Sequence, residues 1–185
     1  EFISCGRLDD LSMVHSGIKA LTEISVGKAT NIMVCFDNEE VGSTTKQGAN
    51  SPFLSGTLER ISISIGKSRE DYYRALSKSF MISSDLGHAL HPNYGEKSDP
   101  TNRPIVNKGP IIKVSANQSY TSDSVSSAVY RSICERAGVP VQVFVNRSDE
   151  KGGSTIGPIS SSQINIPSVD MGIAIFSMHS IRELG

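Results

Sequence analysis

Residues 122–147 read SDSVSSAVYRSICERAGVPVQVFVNR, and they contain a helix-forming segment followed by a strand-forming segment. The first part has helical character and ends at Gly138, because glycine commonly follows the last turn of a helix. The second part, VPVQVFVNR, is a short run of apolar and β-branched residues, which is typical of a strand. The stretch therefore predicts a helix that leads directly into a strand, the repeating unit of α/β proteins.

Three further helices are predicted upstream. The first begins at Asp10 and has an apolar stripe at helical spacing. That stripe comprises Leu11, Val14, Ile18 and Leu21. The second, NSPFLSGTLERISISIG at 50–66, has Ser51 as its candidate N-cap and Pro52 at the first helical position. The third is SREDYYRALSKSF at 68–80, capped by its first serine.

Strand-like runs alternate with these helices. They are NIMVCF at 31–36, FMISSD at 80–85, PIIKVSA at 110–116, VPVQVFVNR at 139–147 and SVDMGIAIF at 168–176. The polar insert Gly95–Asn107 contains two prolines and predicts a surface loop, and HSIREL at 179–184 predicts the start of a last helix. We expect an α/β fold in which helices pack on a mixed, mostly parallel sheet.

Composition limits the possible functions. The chain has 185 residues, 37% hydrophobic and 20% charged, which suffices for one domain or part of one. Eighteen basic and nineteen acidic residues give a net charge of −1, so charge offers no case for binding nucleic acid or a membrane. Three cysteines without C-x-x-C spacing predict reduced thiols in a cytoplasmic protein.

Polar residues follow several predicted strands. FDNEEVGS at 36–43 places Glu39 beside Glu40, and adjacent carboxylates that are partly buried need a compensating charge such as a metal ion. A solvated acidic loop is the alternative. Asp85 ends another strand, the Gly-rich turn KGGSTIG follows VQVFVNR, and His179 follows IAIF. Because sites in α/β sheets gather at the carboxyl ends of strands, we expect these groups at one edge.

These residue types suit a pair of divalent metals. Such a pair needs carboxylates and neutral imidazoles, with one carboxylate that bridges both ions. The candidate ligands are Asp9 or Asp10, Glu40, Asp85 and His179. Glu39 lies next to a candidate ligand but is itself free, so we expect it to act as the base that takes a proton from water.

Six motifs occur in one order along nearly the whole chain. They are RLDD at 7–10, FDNEEVGSTTKQGA at 36–49, SSDLGHALHPNY at 83–94, NKGPIIK at 107–113, GGSTIGPI at 152–159 and MHSIRELG at 178–185. This set resembles the aspartyl aminopeptidase family of zinc exopeptidases. The resemblance implies a three-layer sandwich, hydrolysis of an acidic or neutral N-terminal residue from peptides, and two zinc ions, with manganese or cobalt as alternatives. It also implies a homo-oligomer, which is a dodecamer in relatives.

Carried over residue by residue, the resemblance assigns the following roles. Asp9 matches the bridging aspartate, Glu39 the general base and Glu40 its neighbouring zinc ligand. Asp85 matches the ligand of the other zinc, and His179 the late histidine that shares the Glu40 metal. The residues placed near the substrate are Lys108, Gly153, Ser154 and Thr155, with His88 and His91 in the surrounding wall. Lys108 would pair with an acidic substrate side chain, and the alternative is a surface lysine that leads into the strand PIIKVSA.

The chain departs from the family pattern in two ways. Asp10 stands where the family usually has Asn, and none of the four histidines is followed two residues later by Asp, although the family takes a further ligand from a His-x-Asp motif. The family's dimerisation domain has no counterpart either. We therefore expect residues 1–185 to be the C-terminal part of a larger catalytic domain whose N-terminal part carries the first histidine ligand and the dimerisation domain. The rival interpretations are a non-catalytic binding or assembly module and a related di-zinc deacylase or carboxypeptidase.

Overall fold

A computed structural model describes all residues, 1–185, and has a four-stranded sheet with helices on both faces. The helices are α1 (Leu8–Glu23), α2 (Phe53–Ser64), α3 (Arg69–Leu76), α4 (Ser124–Arg136) and α5 (Ile156–Ile164). The strands are β1 (Ser4–Cys5), β2 (Met81–Ser84), β3 (Gly87–His88), β4 (Ile111–Val114), β5 (Gln142–Val145), β6 (Ser168–Gly172), β7 (Ala174–Ile175) and β8 (Glu183–Leu184). None of the helices combines the length and the apolar character that a membrane span requires.

The sheet has the strand order β2-β6-β4-β5. β2 pairs with β6 and β4 pairs with β5 in parallel, whereas β4 and β6 are antiparallel. Two small ribbons complete the pairing: β1 with β8 is antiparallel, and β3 with β7 is parallel. The predicted mixed, mostly parallel sheet is confirmed.

Two adjacent isoleucines of β4 build the core on both sides of the sheet. Ile111 and Ile112 are both fully buried, and successive strand residues point to opposite faces. Ile112 clusters with Tyr130 and Cys134 of α4, whereas Ile111 clusters with Phe144 and other apolar residues. Because α5 contacts β2 and β6 as well, the predicted arrangement of helices flanking a sheet is confirmed.

Two predicted elements are wrong. NIMVCF at 31–36 forms no strand, because no neighbouring strand supplies it with ladder hydrogen bonds. HSIREL at 179–184 does not begin a helix. Ser177 and His179 have φ of 56° and 66°, which a right-handed helix cannot accommodate, and the chain bends back into β8.

The helices differ in detail from the prediction. The α1 helix forms, but Leu11, Ile18 and Leu21 of its stripe remain exposed. The N-cap of α2 is Pro52 rather than Ser51. The third helix is capped by its serine, as predicted. The sequence interpretation missed α5, because it ended the Gly-rich turn at Gly157 and assigned no element between that turn and the strand at 168–176.

The prediction that four strand ends meet at one edge is wrong for β5. β2 and β6 run in one direction, and β4 and β5 run in the other. The carboxyl end of β5, from which the Gly-rich turn continues, therefore lies at the opposite edge from Asp85, which directly follows β2. The carboxyl ends of strands share one edge of a sheet only when the strands are parallel. Because β4 and β6 are antiparallel, the carboxyl ends of β4 and β5 lie at the other edge.

We expect Val169→Ala in β6 to lower the free energy of unfolding by about 2 kcal/mol, because it removes two methyl groups from a fully buried position. Val125→Ala in α4, where the side chain is exposed, should change it by less than about 0.5 kcal/mol. Urea titration of both variants measures the difference. Equal effects would contradict the assignment of β6 to the core.

Candidate metal centre

Glu39 and Glu40 lie in a loop that is closed by its own backbone hydrogen bonds. Glu39 begins a short 3-10 turn, Glu39–Val41, directly after Asn38, which has a φ of 62°. The Ser43 N–H donates to the Asn38 carbonyl at 2.9 Å, which closes the loop. At Gly48 a Cβ atom would lie only 2.3 Å from the Ser43 carbonyl oxygen, so glycine is required for this close approach.

His179 faces two carboxylates from distant parts of the chain. Its Nε2 atom lies 3.0 Å from Glu40 Oε2 and 3.1 Å from Asp9 Oδ2. Asp9 is at the start of α1 and Glu40 is in the loop just described, while His179 follows β7. The three residues could together offer one metal ion two oxygens and one nitrogen.

A second group of possible ligands consists of carboxylates alone. One oxygen each of Asp9, Asp10 and Asp85 lies within 4.8 Å of the others. Asp9 belongs to both groups, which is the position a bridging ligand occupies. The Oδ1 atoms of Asp9 and Asp10 are buried and have no hydrogen-bond partner. We refer to Asp9, Asp10, Glu39, Glu40 and Asp85 as the acid cluster.

Lys113 is a site residue that the sequence interpretation missed. Its side chain is only 3% exposed, and its Nζ atom lies 2.7 Å from Asp85 Oδ2 and 5.5 Å from the centre of the Tyr120 ring. The available signal was the position of this lysine inside the apolar strand PIIKVSA. A lysine in a buried strand requires a carboxylate partner, and Asp85 is that partner.

Glu183 is the second residue that was missed. Its side chain is buried, and it accepts hydrogen bonds from the backbone N–H of Asp9 at 2.9 Å and of His179 at 2.6 Å. No sequence signal other than its place in MHSIRELG distinguished this glutamate. Glu183 was predicted to lie in a helix, whereas the structure places it in β8.

Burial of carboxylates, followed by the crowding of their negative charges, determines the electrostatics of the site. Desolvation by burial and the charge of Asp85 raise the pKa of Asp9 to about 7 and that of Asp10 to about 8. The same two causes, followed by the charge of Glu40, raise the pKa of Glu39 to about 7. Partial desolvation opposes charging of His179, but the negative charges of Glu40 and Asp9 raise its pKa overall.

The donor set fits zinc. Zinc is held by carboxylate oxygens and imidazole nitrogens, and both kinds of atom converge here. A bound zinc ion would give the two buried aspartate oxygens, which have no hydrogen-bond partner, a positively charged neighbour. Its charge would also oppose the repulsion that contributes to the raised pKa values of the aspartates.

The predicted substrate residues do not join this cluster through hydrogen bonds or ion pairs. Lys108, Gly153 and Ser154 are exposed, and Thr155 is buried directly before α5. His91 packs against the rings of Tyr94 and Phe176, with centroid separations of 4.9 and 6.0 Å. Partial desolvation, together with the charges of His179 and Lys113, lowers the pKa of His88.

The molecule is therefore an α/β protein in which clustered carboxylates and an imidazole form a candidate metal centre. The family model described as Aminopeptidase I zinc metalloprotease (M18) matches residues 1–185. The chain belongs to this M18 family of zinc metalloproteases.

Relatives extend well beyond this chain. "Probable M18 family aminopeptidase 2" of Clostridium novyi is 66% identical over 184 residues, which are all of this chain but only 42% of that protein. Among solved structures, the Ape4 and Nbr1 complex matches with a TM-score of 0.91 and 39% identity, covering 100% of this chain and 36% of that one. The S. cerevisiae mApe1 dodecamer matches with a TM-score of 0.84 and 30% identity, and the match covers 99% of this chain and 42% of that one. The chain thus spans less than half the length of these proteins.

The raised pKa values predict a dependence of stability on pH in the metal-free protein. The folded state keeps protons on Asp9, Asp10 and Glu39 that the unfolded state releases at lower pH. The resulting stabilisation is complete below pH about 4 and is lost as pH rises through the folded pKa values of about 7 to 8. We expect Asp10→Asn to reduce this loss between pH 5 and 8, as measured by chemical unfolding.

The control for this experiment is Glu135→Gln, the same change from carboxylate to amide at an exposed position of α4. It should leave the pH dependence as in the wild type. A loss of stability with rising pH that is identical in Asp10→Asn and the wild type would contradict the assignment of a raised pKa to Asp10.

Proposed function

We propose that the complete protein is an aminopeptidase that hydrolyses the N-terminal residue from peptides and uses two zinc ions at the acid cluster. The observation that carries this proposal is the position of Asp9, which is common to both groups of possible ligands. Membership of a zinc metalloprotease family and the M18 aminopeptidase relatives support it.

The proposed ligand sets follow the two groups. Glu40 and His179 would hold one ion, Asp85 would hold the other, and Asp9 would bridge them. Asp10 is close enough to contribute an oxygen to the second set. That set has no imidazole, and we propose that a histidine from the part of the protein outside residues 1–185 completes it.

Glu39 is the proposed catalytic base. Bound zinc would supply a Lewis acid that polarises the peptide carbonyl and makes water more acidic. Glu39 would accept the proton of the attacking water and return it to the leaving amine. Glu39 belongs to neither group of possible ligands, so its carboxylate remains available to move this proton.

Two lysines are candidates for recognising an acidic substrate, the preference expected for the aspartyl aminopeptidase group. Lys108 is exposed, whereas Lys113 is buried and contacts Asp85. An ammonium group beside the reaction centre, shielded from water, binds a carboxylate more strongly than an exposed one. We therefore propose Lys113, with Lys108 as the rival, as the residue that binds an acidic side chain.

The remaining proposals concern the whole protein. Gly153, Ser154, Thr155 and His91 would contribute to the substrate-binding wall, as the family resemblance implies. A homo-oligomer is supported by the S. cerevisiae relative, which was solved as a dodecamer. A cytoplasmic location is supported by the three free thiols of Cys5, Cys35 and Cys134. Manganese or cobalt could replace zinc, since they accept the same ligands.

Glu39→Gln tests the proposed chemistry. Removal of the base should lower kcat for chromogenic amino-acid amides by about 100-fold or more and leave zinc binding intact. Glu135→Gln is the control and should have wild-type turnover. Normal turnover of Glu39→Gln would contradict the role of the base. Release of C-terminal residues or acyl groups by the wild type would favour a carboxypeptidase or deacylase instead.

Lys113→Gln and Lys108→Gln together test substrate preference. The ratio of kcat/KM for N-terminal Asp to that for N-terminal Leu should fall about tenfold or more in Lys113→Gln, because a charged hydrogen bond to the substrate is lost. Lys108→Gln should keep the wild-type ratio. The opposite result would assign the role to Lys108, and no change in either variant would contradict a preference based on these lysines.

A further inference from the structure

Glu183 connects the two ends of the chain at the candidate metal centre. It is only 1% exposed, and its two carboxylate oxygens accept hydrogen bonds from different backbone segments. Oε2 accepts from the Asp9 N–H at 2.9 Å, across 174 residues of sequence, and Oε1 accepts from the His179 N–H at 2.6 Å. Both donors belong to residues that face each other through Asp9 Oδ2 and His179 Nε2, 3.1 Å apart.

Each of these two backbone groups needs an acceptor. Asp9 lies within the bounds of α1, but its φ of −80° and ψ of 109° are not helical, and Arg7, the residue before α1, provides no side-chain cap. Glu183 is the acceptor for the Asp9 N–H at this irregular start of the helix. His179 has a φ of 66°, a conformation that residues other than glycine seldom adopt without support.

The β1–β8 ribbon fixes Glu183 in this position. Cys5 pairs with Glu183 and Ser4 pairs with Leu184, while Leu184 also bridges to Phe176. The ribbon therefore holds the segment before α1 beside the segment that carries His179. A buried carboxylate at this junction sets the separation of the two segments, because it must reach both N–H groups at once.

We propose that Glu183 is a positioning residue that orients the backbone of Asp9 and His179 and thereby determines the affinity of the site for zinc. The inference rests on the proposed function, since Asp9 and His179 are ligands only in that proposal. Groups that orient metal ligands typically change metal affinity by about 10- to 100-fold when they are removed. The alternative is that Glu183 serves only to stabilise the ribbon and the start of α1.

The chemistry of the side chain suggests the variants. A carboxylate is purely an acceptor, so it can serve two N–H groups. In Glu183→Gln the amide nitrogen is a donor and cannot accept from the second N–H. Glu183→Asp retains the charge, but it is one methylene shorter and cannot reach both groups. Glu135→Gln, at an exposed position, is the control for the loss of a carboxylate.

The experiment measures zinc affinity of the full-length protein by competition with a chromophoric chelator. Amide hydrogen exchange at Asp9 and His179 in the metal-free protein and thermal unfolding are measured alongside. We expect Glu183→Gln to bind zinc about 10- to 100-fold more weakly, with faster exchange at one or both amides. Glu183→Asp should be intermediate, and Glu135→Gln should equal the wild type. KM for the peptide substrate at saturating zinc should not change.

The outcomes separate the two roles. A folded Glu183→Gln protein with a lower melting temperature but zinc affinity within twofold of the wild type would overturn the proposal in favour of a purely structural role. If Glu183→Gln does not fold, wild-type affinity in Glu183→Asp would overturn it instead. Wild-type protein that binds no zinc overturns the proposed function and this inference together. Wild-type protein that binds zinc and cleaves peptides, with unaffected Glu183 variants, overturns the inference alone.

Discussion

Mutual repulsion among five carboxylates is the constraint on which the arrangement of this protein depends. The acid cluster is partly buried, and Lys113 is the one buried lysine that offsets its charge. Desolvation and neighbouring acids raise the pKa values of Asp9 and Glu39 to about 7 and that of Asp10 to about 8, so each of these groups is less stable as an anion than it would be in water. An additional cation would relieve this repulsion, and the zinc family to which the chain belongs is consistent with one.

The fold collects these charges from distant parts of the sequence. Asp85 directly follows β2 at the edge of the sheet, and Lys113 reaches it from β4. The loop with Glu40 is shaped by its own backbone hydrogen bonds, so it presents its acids without being part of the sheet. His179 and Asp9 are brought together by the β1–β8 ribbon and by Glu183. Three separate parts of the fold therefore support the five acids, and the cluster arises only in the folded chain.

Local patterns predicted much of the fold. Residues 122–147 gave the helix α4 and the strand β5 because glycine, apolar spacing and β-branched residues all act within a few residues. The pairing partners of a strand cannot be determined from its own sequence. For that reason NIMVCF was predicted to be a strand although no neighbouring strand pairs with it, and the predicted direction of β5 relative to Asp85 was wrong. The positive φ angles of Ser177 and His179 could not be predicted from local sequence either, since neither residue is a glycine.

The candidate site was predictable to a similar extent. Asp9, Glu40, Asp85 and His179 carry metal-binding groups, and the family motifs that contain them indicated all four; the structure brings them together. Lys113 and Glu183 were missed because their importance comes from contacts across 28 and 174 residues, which no local pattern reveals. The roles of Lys108 and the Gly-rich turn stay predictions.

Anomalous X-ray scattering at the zinc edge, from crystals of the full-length protein grown with zinc, tests the central claim most directly. The account predicts two zinc peaks, both in contact with the Asp9 carboxylate, one of them bound to His179 and the other to Asp85. Zinc peaks that lie away from Asp9, or no zinc in a crystal of active protein, would contradict it.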